Sequence, residues 1–551
     1  MRRSASLQSC SAASAIFSMA ESACFNPRFR AENRRYTKPR FDALRSLAPM
    51  VRQVYARMVK RSGGVSEANK MLRETVDRVT RGDLNLAADE DELQRFCDRK
   101  ALQCERLMYR RGVEVVAEFL SFYGIDPPIK PGTKGELCNK RPACKKWWLR
   151  QVRTMAGREC EQMCREAGQV SKQAGVYVSN HTLRRWVMAQ ARNKSLLDAL
   201  EAENDTGEVF TLSELAALGQ ANPAIRRGEL MVRMRGFEDW AERSEEEWAS
   251  VFITLTCPSK YHERLSNGKK NPKSIGATPR DAQRYLCGVW SRFRAKADRR
   301  GYGYFGFRIA EPHHDGTPHW HLLLFVRRHD LDAFNSAFRE EGLRVDGKEP
   351  GAERHRFTVV EIDPEKGTAA GYIAKYVAKN IDGVAVGLDE EAGIDACITA
   401  AKVRAWASTW AIRQFQQISG PPVGVFRELR RAANHPETLP VITEQCELQF
   451  EAAREAADKG DWAEYTEQNG GAVCRRAERP IQVYKWEKSD PGRYGDKVKE
   501  IKGLWCWWFC FPIVTRVRQW KVRFKEAVAD LNAKREKFFS DPPQAVGLGL
   551  V

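Results

Sequence analysis

EPHHDGTPHWHLLLF, residues 311–325, gathers four of the chain's nine histidines at the mouth of an apolar run. Successive side chains of a strand alternate between faces, so His319 and His321 share one face, about 7 Å apart, and Trp320 takes the other. The run YFGFRIAE (304–311) precedes it, and the connection PHHDGTP carries an Asp315-Gly316 turn signal. Two apolar runs joined in this way form a hairpin. The hairpin brings Glu311 beside His319, on the face that both imidazoles occupy. A single H-x-H is often two hydrogen-bonded core histidines, but a carboxylate converging with two imidazoles points to a metal site. Three ligands leave coordination positions open, which suits catalysis better than a structural role. His313 and His314 fall in the loop, where they are expected to face solvent or phosphate.

Outward from the hairpin, VFITLTC (251–257) and RFTVVEI (356–362) read as further strands. Helices start near Thr278-Pro279, near Asp330 and after Gly367. Short strands mixed with helices make an α+β layer around an antiparallel sheet. Residues 403–431 read as helix, turn and helix. The segment from 46 to 235 is mainly helical, with a Pro/Gly break at 123–135, a capping box at Thr211–Glu214 and a helix start at Asn222-Pro223. The expected organisation is a disordered tail (1–45), a helical region (46–235), the sheet-bearing region (236–435) and a charged, irregular region (436–551). No internal repeat is present.

At 551 residues the chain is too long for one ordinary core. Its 91 Lys+Arg against 72 Asp+Glu leave a net charge of +19, which calls for a polyanionic partner, either nucleic acid or an anionic membrane surface. Fifteen scattered cysteines, an odd number in a chain able to bury its own core, fit a reducing cytoplasm better than a secreted disulfide framework. The N-terminal MRRSASLQSCSAASAIFSMAES reads as a tail because serines interrupt its apolar stretch. LWCWWFCFPIV (504–514) is too short to span a bilayer and reads first as packed core. Cys138, Cys144, Cys160 and Cys164 admit two readings, a zinc knot of unusual spacing or buried thiols. The basic, Trp-bearing stretches at 141–153 and 516–525 are either nucleic-acid contacts or solvated faces.

GTAAGYIAKYVAKN (367–380) is the second informative stretch. On a helix, Tyr372, Lys375, Tyr376 and Lys379 fall at i, i+3, i+4 and i+7 and form one polar stripe, backed by Ala370, Ile373, Ala374, Val377 and Ala378. One reading is an amphipathic helix with snorkelling lysines. The other is chemical. A phenol, with a pKa near 10, becomes a usable nucleophile where ammonium groups and a metal-bound phosphate stabilise its anion. Lysines also grip phosphate oxygens, and two phenols one turn apart can pass a strand between them.

FITLTCPSKYH, EPHHDGTPHWHLLLF and GYIAKYVAKNIDG, in that order, resemble the three motifs of HUH endonucleases. More closely, residues 120–432 resemble the gene A replication initiation proteins of tailed phages. The resemblance implies an HUH-type nuclease domain with a central antiparallel sheet at 236–435, preceded by a helical DNA-binding region. It implies Mg2+ or Mn2+ on His319 and His321, with Glu311 a less regular third ligand. Tyr372 and Tyr376 are the implied nucleophiles, with Lys375 and Lys379 beside them, and the product is a 5′-phosphotyrosine with a free 3′-OH that primes rolling-circle replication. The implied partners are single-stranded or supercoiled origin DNA, a host helicase and the replication machinery in the cytoplasm of a bacterial host, without stable membrane association. A two-tyrosine transposase or relaxase would use the same chemistry. A DNA-binding regulator with a structural metal is the non-enzymatic alternative, and a two-His-one-carboxylate oxygenase fits the basic charge poorly.

Overall fold

Five strands build the sheet that carries the histidines: β1 (Trp248–Leu255), β2 (Tyr304–Pro312), β3 (Pro318–Arg327), β4 (Phe357–Glu361) and β5 (Phe415–Ile418). Their spatial order is β5-β2-β3-β1-β4, and every neighbouring pair is antiparallel. The computed structural model describes residues 27–62, 65–128, 140–384, 386–389, 392–433, 444–507 and 512–525. The class is α+β. The hairpin forms as its turn signal requires, with Glu311 opposite His319 and Ile309 opposite His321.

β3 lies in the middle of the sheet and is buried on both faces, which is why it reads as an unbroken apolar run. Trp320, Leu322 and Leu324 join Phe293 of the helix Pro279–Arg300 and Phe334 and Phe338 of the helix Leu331–Leu343 in one core. On the other face, Leu323 and Phe325 pack with Phe252, Phe307 and Ile309 against the helices Pro223–Arg243 and Ala369–Ile381. Local signals set the helix starts. Thr211 and Glu214 form a reciprocal capping box, Thr278 and Asp281 form another, and the Asn222 side chain caps a helix that opens on Pro223.

The helices Pro27–Ala43, Ala48–Ser62, Val65–Val79, Glu90–Arg111, Val113–Phe122 and Lys145–Glu166 surround a third core that holds Phe96, Trp148, Cys160 and Cys164. Trp147 and Trp148 are therefore packing residues, not exposed stacking platforms. The sulfurs of Cys144, Cys160 and Cys164 do not gather into a ligand group, and Cys138 lies outside the described residues. Burial pushes the Cys160 thiol up to about 11 and raises Cys164 as well, so both sit as neutral core thiols.

Three stretches differ from the sequence reading. Between the helices Ala396–Trp410 and Val423–Ala433 the chain inserts β5 where a simple turn was expected. Its three consecutive polar and aromatic residues after Gln414 hid the strand, because an edge strand needs little apolar alternation. The charged region after 436 contains the helices Glu444–Lys459 and Trp462–Gln468, and a sheet of Ile481–Glu487, Lys499–Cys506 and Ile513–Val514. Trp462, Tyr465, Ile481 and Leu504 complete the core beneath β3. In the LWCWWFCFPIV run, Leu504 and Cys506 are buried while Trp505 and Trp507 point outward, and residues 508–511 lie outside the described residues. Trp520–Phe524 pairs with Leu200–Asn204 as an exposed strand. Residues 1–26 of the expected tail lie outside the described residues, whereas 27–45 do not form a loose tail: they hold the helix Pro27–Ala43, and Phe41 and Leu44 are buried in the third core. Among the described residues, no helix is long and apolar enough to cross a membrane.

Gly306 is the position where the sheet has no room for a side chain. Its φ is +145°, and a Cβ there would stand 2.1 Å from the Leu323 carbonyl oxygen of β3. Gly306→Ala is expected to lower stability by about 3 kcal/mol, read as a shift in denaturant midpoint. A midpoint within error of the wild type would show that β2 and β3 do not lie this close.

Candidate metal centre and tyrosine helix

The alternation of β3 and its register with β2 deliver three donors to one place. Glu311, His319 and His321 are all buried, and their ligand atoms lie within 4.8 Å of one another. The Nε2 atoms of His319 and His321 are 2.9 Å apart, and His321 Nε2 is 3.9 Å from Glu311 Oε2. Donors that share one ion at about 2.1 Å stand roughly 3 to 3.5 Å from each other, so the observed separations bracket a coordinated set. Two imidazole nitrogens at 2.9 Å also require a proton or a cation between their lone pairs. The donor set therefore fits a divalent ion. The Nδ1 of His321 lies 3.0 Å from Thr254 Oγ1 of β1, a contact that fixes the ring's orientation.

The helix Ala369–Ile381 lies over these donors. Thr368 caps it by accepting from the Gly371 amide at 3.0 Å, and the Glu238 carboxylate accepts from the Ala369 and Ala370 amides. Glu238 belongs to the helix Pro223–Arg243, so a buried carboxylate from another element sets the N-terminus of the tyrosine-bearing helix. Ile373, Val377 and Ile381 anchor its apolar face in the core. The Tyr376 ring stands 4.3 Å from the His321 ring and stacks on Phe252 at 5.2 Å. Tyr372 also touches Phe252, at 5.2 Å, but is 48 % exposed. Lys375 projects to solvent.

Lys379 points inward. Its Nζ lies 3.5 Å from Glu311 Oε2 and 3.3 Å from Asp389 Oδ1, and Asp389 accepts from the Tyr177 hydroxyl at 2.8 Å. Asn380 donates through Nδ2 to Glu311 Oε1 and to the Tyr376 carbonyl at 2.7 Å, while its own Oδ1 accepts from Gln414 at 3.2 Å. Glu311 is thus held by an ammonium and an amide from the same helix that carries the phenols. Sequence reasoning did not single out Asn380, Asp389, Tyr177, Gln414 or Thr254. Asn380 left a signal, since it continues the apolar row of Ile373 and Val377, where a polar residue is out of place. Asp389 and Tyr177 left none, because only the fold brings them to Lys379.

The hairpin loop is seated, not free. The Asp315 carboxylate accepts from the amides of Glu263 at 2.9 Å and Thr317 at 3.0 Å, and it lies 3.3 Å from His262 Nδ1. Arg165 and Trp406 donate to the carbonyls of Asp315 and Gly316. His313 is half-buried by the same packing, with its ring 4.1 Å from that of His319. The loop histidines are therefore more enclosed than the sequence reading expected.

Two expectations follow from these contacts. Burial alone would raise the Asp315 pKa, but the His262 imidazole and the donated hydrogen bonds hold it well below the usual carboxylate range. A folded value below the unfolded one, near 3.9, contributes stability that is complete above about pH 4 and fades as the pH falls further. Asp315→Asn should cost about 2 kcal/mol at neutral pH, with the gap to wild type narrowing in acid; a gap independent of pH would exclude the charge as its source. Asn380→Ala should weaken divalent-ion affinity about tenfold by calorimetry, because a carboxylate of the candidate donor set loses its orienting donor. Unchanged affinity would remove Asn380 from the centre.

Residues 87–384 match the family described as bacteriophage replication gene A protein (GPA). The replication gene A protein of Escherichia phage 186 is 41 % identical over 69 % of this chain and 55 % of its own length. The replication protein of Haemophilus phage HP1 is 38 % identical over 70 % of this chain and 48 % of its own length. A protein from Salmonella paratyphi A named a probable replication endonuclease from a prophage-like region is 34 % identical over 71 % of this chain and 50 % of its own length. The chain spans about half the length of these curated relatives, and no solved structure matches it. With the family match covering more than half of its residues, the chain belongs to the bacteriophage replication gene A protein family.

Proposed function

We propose that this chain is a DNA endonuclease and strand-joining enzyme that starts rolling-circle replication of phage DNA, with residues 236–435 acting as an HUH-type domain. The observation that carries the reading is the placement of the Tyr376 ring 4.3 Å from His321, at the edge of a buried Glu311/His319/His321 donor set. The relatives named replication gene A protein and probable replication endonuclease support it. They favour replication over transposition or conjugative transfer. A donor set with open positions beside a phenol favours catalysis over a regulator with a structural metal.

A divalent cation held by Glu311, His319 and His321 supplies Lewis-acid polarisation of a phosphodiester. Two imidazole donors favour Mn2+ over Mg2+, which prefers oxygen ligands. The chain's own groups do the rest. The Tyr376 or Tyr372 phenol gives up its proton, and its oxygen bonds to phosphorus. The bond from phosphorus to the 3′ oxygen breaks, and that oxygen takes a proton to leave as a 3′-OH. The 5′ phosphate stays on the tyrosine, so the phosphodiester is exchanged and not hydrolysed. Lys375, exposed on the same helix, is placed to meet a phosphate, while Lys379 keeps the Glu311 carboxylate in register. Origin DNA, single-stranded or supercoiled, is the proposed substrate in the cytoplasm of a bacterial host, with a host helicase and the replication machinery as later partners.

Termination of such a cycle needs a second cut while the first 5′ end is still held. Phenols one turn apart, about 6 Å along the axis, can alternate at one phosphate. Tyr372→Phe and Tyr376→Phe are each expected to keep some single cleavage and to lose coupled cleavage and joining, whereas the double variant forms no SDS-resistant adduct with an origin oligonucleotide and Mn2+. His319→Ala and His321→Ala should abolish cleavage while leaving salt-sensitive DNA binding, which rests on Lys and Arg contacts to phosphate. A double phenylalanine variant that still forms the adduct would overturn the tyrosine mechanism.

A further inference from the structure

A groove of about 970 Å3 runs beside β5, away from the donor set. Six guanidinium groups line it, those of Arg294, Arg308, Arg327, Arg475, Arg476 and Arg479, against one carboxylate, Asp298. Two of the six are committed elsewhere: Arg327 pairs with Glu246 at 2.6 Å, and Arg479 donates to the carbonyls of Asn469 and Gly471. Arg294, Arg475 and Arg476 have no carboxylate partner among the described residues, and the last two are exposed.

Arg308 is the informative member. It is 7 % exposed and lies 4.1 Å over the Trp320 ring. One Nη donates to the Arg413 carbonyl at 3.0 Å, but its Nε has no hydrogen-bond partner and no carboxylate pairs with it among the described residues. Desolvation brings its pKa down to about 10. A cation taken out of water without a counter-charge is costly, and further guanidiniums facing the same space add repulsion. An anionic ligand relieves both.

The lining selects the anion. Gln416, Gln417 and Ile418 of the β5 edge form one wall of the groove, and Trp290 and Tyr302 line it beside the guanidiniums. Cationic grooves with aromatic faces hold single-stranded nucleic acid by its phosphates and stack its bases. Duplex DNA is too wide to bring a phosphate to a side chain as buried as Arg308. The position also suits a substrate strand. Arg308 and Glu311 share β2, about 10 Å apart and on opposite faces, so a strand that leaves the donor set reaches the groove by passing around the β5 edge.

We propose that this groove binds the phosphodiester backbone of a single DNA strand flanking the cleavage point, a reading that takes its substrate from the function proposed above. The site is a second anchor, separate from the reacting phosphate.

The test uses the full chain with three probes: a labelled oligothymidylate, a duplex of mixed sequence, and inorganic pyrophosphate. Arg475→Glu/Arg476→Glu removes two exposed cations and leaves the fold intact, which its melting midpoint checks. Oligothymidylate affinity should fall at least about tenfold, and the slope of log affinity against log salt should lessen by about 1.4, or about 0.7 per lost contact. Arg308→Gln should weaken binding in the same direction, and adduct formation with an oligonucleotide too short to leave the donor set should match wild type. Unchanged oligothymidylate affinity and slope in the charge-reversal variant would overturn the proposal. So would a loss confined to duplex or to pyrophosphate, which would assign the groove to another ligand. A wild-type protein that binds oligothymidylate through these arginines yet forms no adduct would overturn the endonuclease reading and leave the groove assignment standing.

Discussion

The buried carboxylate of Glu311 is the constraint on which the rest of the centre depends. It stands opposite His319 in the sheet, 3.9 Å from His321 Nε2, and is held by Lys379 and Asn380 from the helix that carries both tyrosines. A carboxylate taken out of water is tolerated only where charge and hydrogen bonds compensate it. Here the compensating groups come from the element that has to be positioned. The same contacts that make Glu311 affordable in the core fix the height and rotation of the tyrosine helix above the histidines. Glu238, at the other end of that helix, sets its N-terminus from the helix Pro223–Arg243. The helix is therefore pinned at both ends by buried carboxylates.

The two tyrosines are not equivalent in this setting. Tyr376 packs against both His321 and Phe252, which also stack on each other, while Tyr372, one turn earlier, shares Phe252 but opens to solvent. An enclosed phenol and an exposed one beside a single donor set suit successive steps better than simultaneous ones. The difference arises from helix geometry alone, since one turn lifts Tyr372 away from β3 along the axis.

The hairpin and the tyrosine stripe were legible in the sequence because strand alternation and helix periodicity are local rules. EPHHDGTPHWHLLLF encodes its own register, and AAGYIAKYVAKN encodes which face is apolar. What surrounds them is not local. Tyr177 reaches Asp389 across 212 residues, and the Asp315 carboxylate is gripped by amides at 263 and 264. No spacing rule relates such positions, so they emerge only when the chain is folded. β5 escaped notice for a different reason. An edge strand rich in Gln carries no apolar alternation, and the pairing with β2 that defines it lies more than a hundred residues away. The charged region after 436 was opaque because its few core residues, Trp462, Tyr465, Ile481 and Leu504, are spread thinly among charges.

The central claim is that Glu311, His319 and His321 share one ion beside Tyr376. Electron–nuclear double resonance of the protein loaded with Mn2+ tests it most directly, because nitrogen and oxygen ligands give distinct couplings to the ion. The account predicts nitrogen couplings from two imidazoles, one lost in His319→Ala and the other in His321→Ala. Bound Mn2+ with only oxygen ligands, or with nitrogen couplings that survive both substitutions, would contradict it.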